Sequence, residues 1–312
     1  MSEGTPPVLF LIFNRPDHTR EVMERIRQAE PPKLFVGADG PRPDHPDDTK
    51  NCEEAREVAT RVDWDCEVHT LFRDENLGLK EAVSSAITWF FEHVEKGIIL
   101  EDDCVPHPTF FPYCENLLER YRGDTRVSMI SGQNPLGTWK ENEGSYHFSH
   151  FGGVWGWATW REMWSMYDID EDTAGPDYVW KILEGALGDK HQVVLRSRGV
   201  NRALSGDLES WAYQWFYARL LNHTLTVAPS RNLITNIGFG ETATHTTKAN
   251  NRRQESGNIE FPLTPPKVVF PDQKYDREWF RRVRNLNGYS LKRVIKRLKI
   301  DTKYYISKIF RK

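Results

Sequence analysis

The chain has 312 residues, 38% apolar and 28% charged, with a net charge of −3. That composition suits one large globular domain or two small ones and excludes a disordered chain. No apolar run approaches the roughly 18–20 residues of a membrane helix. Cys52, Cys66, Cys104 and Cys114 show neither CxxC spacing nor the density of a disulfide framework.

In chain order, Val8 to Phe13 (VLFLIF) is a strand-length apolar run, and Pro16-Asp17 opens an amphipathic helix that reaches Ala29. Lys33 to Ala38 predicts a second strand, closed by the turn chemistry of Asp39-Gly40-Pro41. Cys66 to Phe72 predicts a third. Gly78 to Val94 predicts a helix with Leu79, Val83, Ile87, Phe90 and Phe91 near one face. Gly97 to Leu100 is the fourth strand. This alternation predicts an α/β fold, with a mostly parallel central sheet covered by helices on both faces. Such sheets bind ligands beyond the carboxyl ends of their strands.

The residues at those ends are Asn14-Arg15, Asp39-Gly40, Arg73 to Lys80, and Glu101-Asp102-Asp103. No GxGxxG or GxxxxGK[ST] follows the first strand, so dinucleotide and P-loop sites are not expected. A cation and three consecutive acids at one sheet edge suit a phosphate held partly through a divalent ion. Carboxylates are hard oxygen ligands for Mg2+ or Mn2+, and a nucleotide diphosphate completes the shell. Surface acids in a turn are the plainer alternative.

Three segments carry a resemblance. Gly97 to Tyr113 (GIILEDDCVPHPTFFPY), Phe151 to Trp164 (FGGVWGWATWREMW) and Pro229 to Thr246 (PSRNLITNIGFGETATHT) resemble, in this order, segments of GT-A glycosyltransferases. The likeness is to the N-acetylglucosaminyltransferase I-like and bacterial family 2-like kinds. It implies a GT-A fold in two fused halves, residues 1–125 for the nucleotide-sugar and 126–262 for the acceptor, with residues 263–312 as an extension. It also implies a nucleotide-sugar donor, UDP-linked by analogy with UDP-GlcNAc as one candidate, and Mn2+ or Mg2+. The implied acceptor is a glycan or lipid-linked glycan of bacterial cell-surface polysaccharide synthesis.

By position the resemblance makes Asp103 the metal ligand, with His245 approaching the metal or diphosphate. Asp102 and Glu101 would hold the ribose, Arg15 the diphosphate, and Asp39 the base, while Asn14 would belong to the nucleotide-sugar site and Asn76 and Lys80 would sit near the donor. Trp155 and Trp157, among Gly152, Gly153 and Gly156, are expected to form a sugar platform, since indoles stack on the apolar faces of sugars. Trp160 and Trp164, spaced i, i+4, are expected in the core.

An inverting transferase needs a general base for the acceptor hydroxyl. The family's base lies in an acidic pair flanked by tryptophans, matched here by Asp207-Leu208-Glu209-Ser210-Trp211. With Trp211 as the tryptophan after the acids, Glu209 takes the role, with Asp207 behind it. With Trp211 as the one before them, the position falls on Ala212, and a catalytically impaired nucleotide-sugar-binding protein follows. A sugar nucleotidyltransferase is the other alternative, although FNRPD lacks the glycines usual after its first strand.

Residues 281–312 hold twelve Lys or Arg and one acid, Asp301, leaving the first 280 with 30 basic and 44 acidic side chains. Leu291, Val294, Ile295, Leu298, Tyr305, Ile306 and Ile309 recur near one helical face. A basic amphipathic helix over 289–312 suits an anionic membrane surface. Packing of the same apolar stripe on the acidic body is the alternative, and nucleic acid is the weakest. The chain is expected to be cytoplasmic, without a secretory leader, and peripheral at the inner membrane surface.

Overall fold

A computed structural model describes residues 4–238 and 254–283, together with Lys299, Thr302 and residues 304–306. β1 (Val8–Ile12) is wholly buried, because parallel β2 (Lys33–Ala38) and β4 (Lys96–Glu101) flank it and helices cover it. α1 (Pro16–Ala29) starts with proline at its first turn and buries Thr19, Val22, Met23 and Ile26, spaced as one helical stripe. α2 (Asp48–Thr60) leads to β3 (Glu67–Phe72), and α3 (Leu79–His93) leads to β4. The four strands and both helices expected from periodicity all form, with ends shifted by at most one residue. β3 departs in one respect: as the sheet edge it is mostly exposed, with Val68 and Phe72 open to solvent.

The chain then turns at β5 (Cys104–Pro106) into α4 (Phe110–Arg120), β6 (Val127–Ser131), β7 (Tyr146–Ser149) and β8 (Trp157–Trp160). Helices α5 (Arg161–Trp164), α6 (Pro176–Leu187), α7 (Lys190–Leu204) and α8 (Trp211–Leu221) precede β9 (Leu225–Pro229) and β10 (Ile234–Asn236). The eight-stranded sheet runs β3-β2-β1-β4-β8-β6-β9-β7, so residues on both sides of position 125 share one sheet. β5 and β10 pair separately and antiparallel, which sets Asn236 opposite Cys104. The chain is thus mixed α/β and Rossmann-like, as the periodicity implied.

α9 (Gln273–Val283) draws the segment after residue 262 into the body. Its Tyr275, Trp279 and Phe280 are buried with Phe151 and residues of α6, α7 and α8 in a second core. There the Arg196 guanidinium lies 4.6 Å from the Phe151 ring centre, 4.7 Å from Phe216 and 5.0 Å from Trp279, in cation–π contact. Residues 263–283 therefore belong to the fold, not to a separate extension. Beyond them, Tyr304 packs against Trp180 and donates its hydroxyl to Glu184 at 2.9 Å, whereas Tyr305 and Ile306 are exposed. Among the described residues no helix is long and apolar enough to cross a membrane.

Candidate functional site

The register of the parallel strands decides where the polar residues gather. Ile12 stands beside Ala38 and Leu11 beside Glu101, so the residues that follow β1, β2 and β4 emerge together at their carboxyl ends. A cavity of about 540 Å³ opens there, within the range of small-molecule sites. Leu11, Gly37, Leu71, Leu79, Val83 and Ala86 make its apolar part. Arg15, Asp39, Arg42, Arg73, Asn76, Glu101, Asp102, Asp103, Glu209 and Asn236 make its polar part.

The acids occupy one end. Asp102 is buried, and the Arg15 guanidinium grips it twice, through Nε at 3.3 Å and through Nη2. Arg15 Nη1 also donates to Asp103 Oδ2 at 3.1 Å. Asp103 Oδ1 accepts from Asn236 Nδ2 at 3.1 Å, a contact that the β5–β10 pairing creates. Burial pulls the Arg15 guanidinium down, but Asp102 and Asp103 outweigh it and leave it raised. Burial, then the charges of Asp103 and Asp102, hold the Glu101 carboxyl well above the usual carboxylate range. Asp102 is raised too: burial and Asp103 together prevail over the downward pull of Arg15.

One guanidinium therefore does not neutralise this cluster, and a divalent cation would relieve it. Among the described residues, however, no group of three His, Cys, Asp or Glu is placed to hold a metal ion. The donor set fits an ion that takes one protein carboxylate, Asp103, and most of its shell from a phosphate ligand. His245 lies outside the described residues.

The base and donor residues divide. Asp39 lines the cavity, yet its oxygens already accept from the backbone N–H groups of Gly40, Leu77 and Gly78 and from Asn76 Nδ2, at 2.9–3.2 Å. Burial pushes its carboxyl up against those hydrogen bonds. Asp39 and Asn76 thus fasten the loop before α3 to the end of β2, and both still face the cavity. Asn14 and Lys80 do not line it. Asn14 donates to buried Asp48 at 2.6 Å, and Lys80 Nζ to the Ala203 carbonyl at 3.2 Å. Asp48 in turn holds Arg42, whose hydrogen bonds lower the Asp48 carboxyl to about 2.

The tryptophans separate as well. Trp155 is half-buried and lines the cavity. Trp157, on β8, is fully buried against Trp164, Trp211 and Trp215, so it belongs to the core and not to a sugar platform. The split follows from place in the chain: β8 lies inside the sheet, while Trp155 precedes it in a loop. Trp160 and Trp164 are core, as expected. The nearby glycines serve packing: a Cβ on Gly156, whose φ is +62°, would stand 2.4 Å from Ile234 Cδ1.

Glu209, in the loop before α8, reaches the cavity from the second half of the sequence. It lies so close to Gly78, at φ +80°, that a Cβ there would stand 2.0 Å from Glu209 Oε1. Asp207 does not line the cavity; its carboxylate accepts from Ser205 Oγ at 3.0 Å. Ala212 lies in the first turn of α8, packed against the core and outside the cavity lining. Sequence reasoning assigned no role to Arg42, Arg73 or Asn236. Arg42 follows the Gly40-Pro41 turn closely enough to have been suspected, whereas Asn236 needed the β5–β10 pairing.

No protein-family model matches the chain, and no curated protein matches it. Among solved structures it is similar to HddC from Yersinia pseudotuberculosis complexed with GMP-PN, at 11% identity and a TM-score of 0.32, over 50% of this chain and 77% of that one. It is also similar to UDP-glucose pyrophosphorylase complexed with UDP-glucose, at 8% identity and a TM-score of 0.35, over 74% of this chain and 92% of that one. Likeness this distant assigns no function.

Proposed function

We propose that the chain binds a nucleotide-sugar in this cavity and, as a glycosyltransferase, moves the sugar to a glycan or lipid-linked glycan hydroxyl. The observation that carries this is the meeting in one cavity of the Arg15–Asp102–Asp103 cluster with the Glu209 carboxylate, more than a hundred residues further along the chain. Arg15 would hold the diphosphate, with Arg42 and Arg73 adding positive charge, while Asp102 and Glu101 orient the ribose. Trp155 would offer its ring to the sugar, and Glu209 would take the proton from the acceptor hydroxyl as its oxygen attacks the anomeric carbon. A manganese or magnesium ion on Asp103 would supply electrostatic stabilisation of the departing diphosphate.

Sugar nucleotidyl transfer is the alternative, favoured by a cation, Arg15, standing directly after β1 at the phosphate end of the cavity. The full chain, incubated with Mn2+ and a panel of UDP-sugars, should release UDP, and chelation should stop it. Pyrophosphate formed from UTP and a sugar 1-phosphate, without UDP release, would establish the alternative instead. Binding without either product would mark a non-catalytic nucleotide-sugar-binding protein.

The basic segment adds a location to this proposal. Residues 289–312, of which only Lys299, Thr302 and residues 304–306 are among those described, would rest on an anionic membrane surface, bringing the cavity to a lipid-linked acceptor, with the exposed Tyr305 and Ile306 on the apolar side. Each Lys or Arg near such a surface contributes about 1 kcal/mol. A chain truncated after Asn287 keeps α9 but loses the Tyr304 contacts with Trp180 and Glu184, so it should stay folded with a somewhat lower unfolding temperature and lose binding to anionic liposomes. Binding by the full chain should weaken as salt is added. Indifference of the full chain to anionic liposomes at low salt would assign this segment to the body, where Tyr304 already packs.

A further inference from the structure

Charge is sorted by side along residues 261–283. The exposed charged side chains there are Lys267, Lys274, Arg277, Arg281 and Arg282, all of them basic. The acids are turned inward or paired. Asp276 is buried, accepting from Ser149 Oγ and bonded to His150 Nδ1 at 2.8 Å. Asp272 accepts from Trp139 Nε1 at 2.9 Å and lies 3.1 Å from Lys140 Nζ, and Glu278 accepts from Arg281 at 3.0 Å. On α9 the residues Lys274, Arg277 and Arg281 stand at i, i+3 and i+7, one stripe opposite the buried Tyr275, Trp279 and Phe280.

Just before α9, residues 264–272 run along β7, the edge strand of the large sheet. The Ser145 N–H donates to the Thr264 carbonyl at 2.9 Å, and the Asp272 N–H to the Phe148 carbonyl at 2.8 Å, so this arm is fastened at both ends. Pro265, Pro266 and Pro271 restrict the backbone between. Val269 packs against the core, and its neighbours Val268 and Phe270 point the other way. They are 67% and 65% exposed, more than any other large apolar side chain among the described residues. Single apolar side chains on a surface are ordinary. These two are held outward by a braced backbone, and Phe270 stands four residues before the basic stripe begins.

We propose that Val268 and Phe270, with the basic outer face of α9, form a contact for an anionic bilayer. The two side chains would enter the boundary between headgroups and acyl chains while the lysine and arginines meet lipid phosphates. The inference rests on the membrane location proposed above for residues 289–312, and adds to it a second contact built into the folded body. Stable attachment without a spanning helix takes two signals. Attraction between basic side chains and phosphates is screened by salt, whereas burial of apolar side chains is not. A braced arm also loses little conformational freedom when it docks.

The test is co-sedimentation of the full-length chain with vesicles of phosphatidylcholine and phosphatidylglycerol in equal parts. The double variant Val268→Ser, Phe270→Ser should unfold at the wild-type temperature, since neither side chain is buried, and bind these vesicles about tenfold or more weakly. That deficit should persist as salt is added, while binding of both chains falls. Phe270→Trp should bind at least as tightly as wild type, because tryptophan favours the membrane–water interface. Equal binding by wild type and the serine double variant would overturn the inference, and loss of binding on truncation after Asn287 would then still uphold the basic end. A wild-type chain that ignores the vesicles at low salt overturns both. A wild-type dimer that the serine variant turns into a monomer, with vesicle binding unchanged, overturns the inference in favour of a face for a second copy of the chain.

Discussion

Asp103→Ala should abolish Mn2+-dependent UDP binding while leaving a folded protein. All three acids line the cavity, and Asp103 is the one whose oxygens bond both Arg15 on one side and the Asn236 amide on the other. Its neighbours cannot replace it. Asp102 is committed to Arg15, and Glu101 is held above the usual carboxylate range, so it gives up its proton reluctantly. The cost to the fold is small for a definite reason. Truncation deletes the Arg15 and Asn236 hydrogen bonds, but it also removes a negative charge that destabilises both Glu101 and Asp102. The two effects oppose each other, and the change in unfolding free energy should stay within about 1 kcal/mol. Calorimetric titration with UDP, with and without Mn2+, reads the first expectation, and urea unfolding reads the second. Unchanged Mn2+-dependent UDP affinity would remove Asp103 from the metal role.

How much of this was legible in the sequence depends on distance along the chain. β1, α1, β2, α3 and β4 each announce themselves within a dozen residues, because hydrophobic periodicity and turn chemistry are local. Asp39, Asn76 and the Glu101–Asp103 triplet were found because parallel strands put their carboxyl ends together, so a list of strand ends is a list of cavity residues. Lys80 and Asn14 show the limit of that rule. Both stand at the right height, but their side chains turn to Ala203 and Asp48, and nothing in the local pattern fixes that direction. Trp157 failed differently. Trp155 and Trp157 beside three glycines resembled a sugar platform, but the partners that bury Trp157 include Trp211 and Trp215, more than fifty residues on. The role of α9 was hidden for the same reason, since its partners Ser149 and Phe151 lie over 120 residues earlier. Asn236 depends on a strand pairing only three residues long.

The second large effect concerns the base, where sequence left two registers open. One names Glu209; the other puts Ala212 in its place. The cavity admits only the first of these side chains, since Ala212 is packed into the core side of α8. Glu209 is also held against Gly78, where any side chain would displace its carboxylate, so the loop before α3 and the loop before α8 meet at this residue. Glu209→Gln keeps the shape and the hydrogen-bonding reach of the side chain and removes its basicity. Sugar transfer should fall by at least about a hundredfold, the lower end for loss of a general base. UDP affinity in the presence of Mn2+ should change little, because the phosphate end of the cavity is untouched. The loss should therefore appear in kcat far more than in KM, the signature of an interaction made only in the transition state. Gly78→Ala offers an independent check through position instead of basicity: pushing the Glu209 carboxylate aside should lower transfer too, with the ionisable group still present. If Glu209→Gln retains most of its transfer rate, the base is elsewhere, and Ala212→Asp becomes the variant to make. A gain of activity there would restore the other register, and with it the picture of a natural chain that binds its donor but lacks the acid to use it.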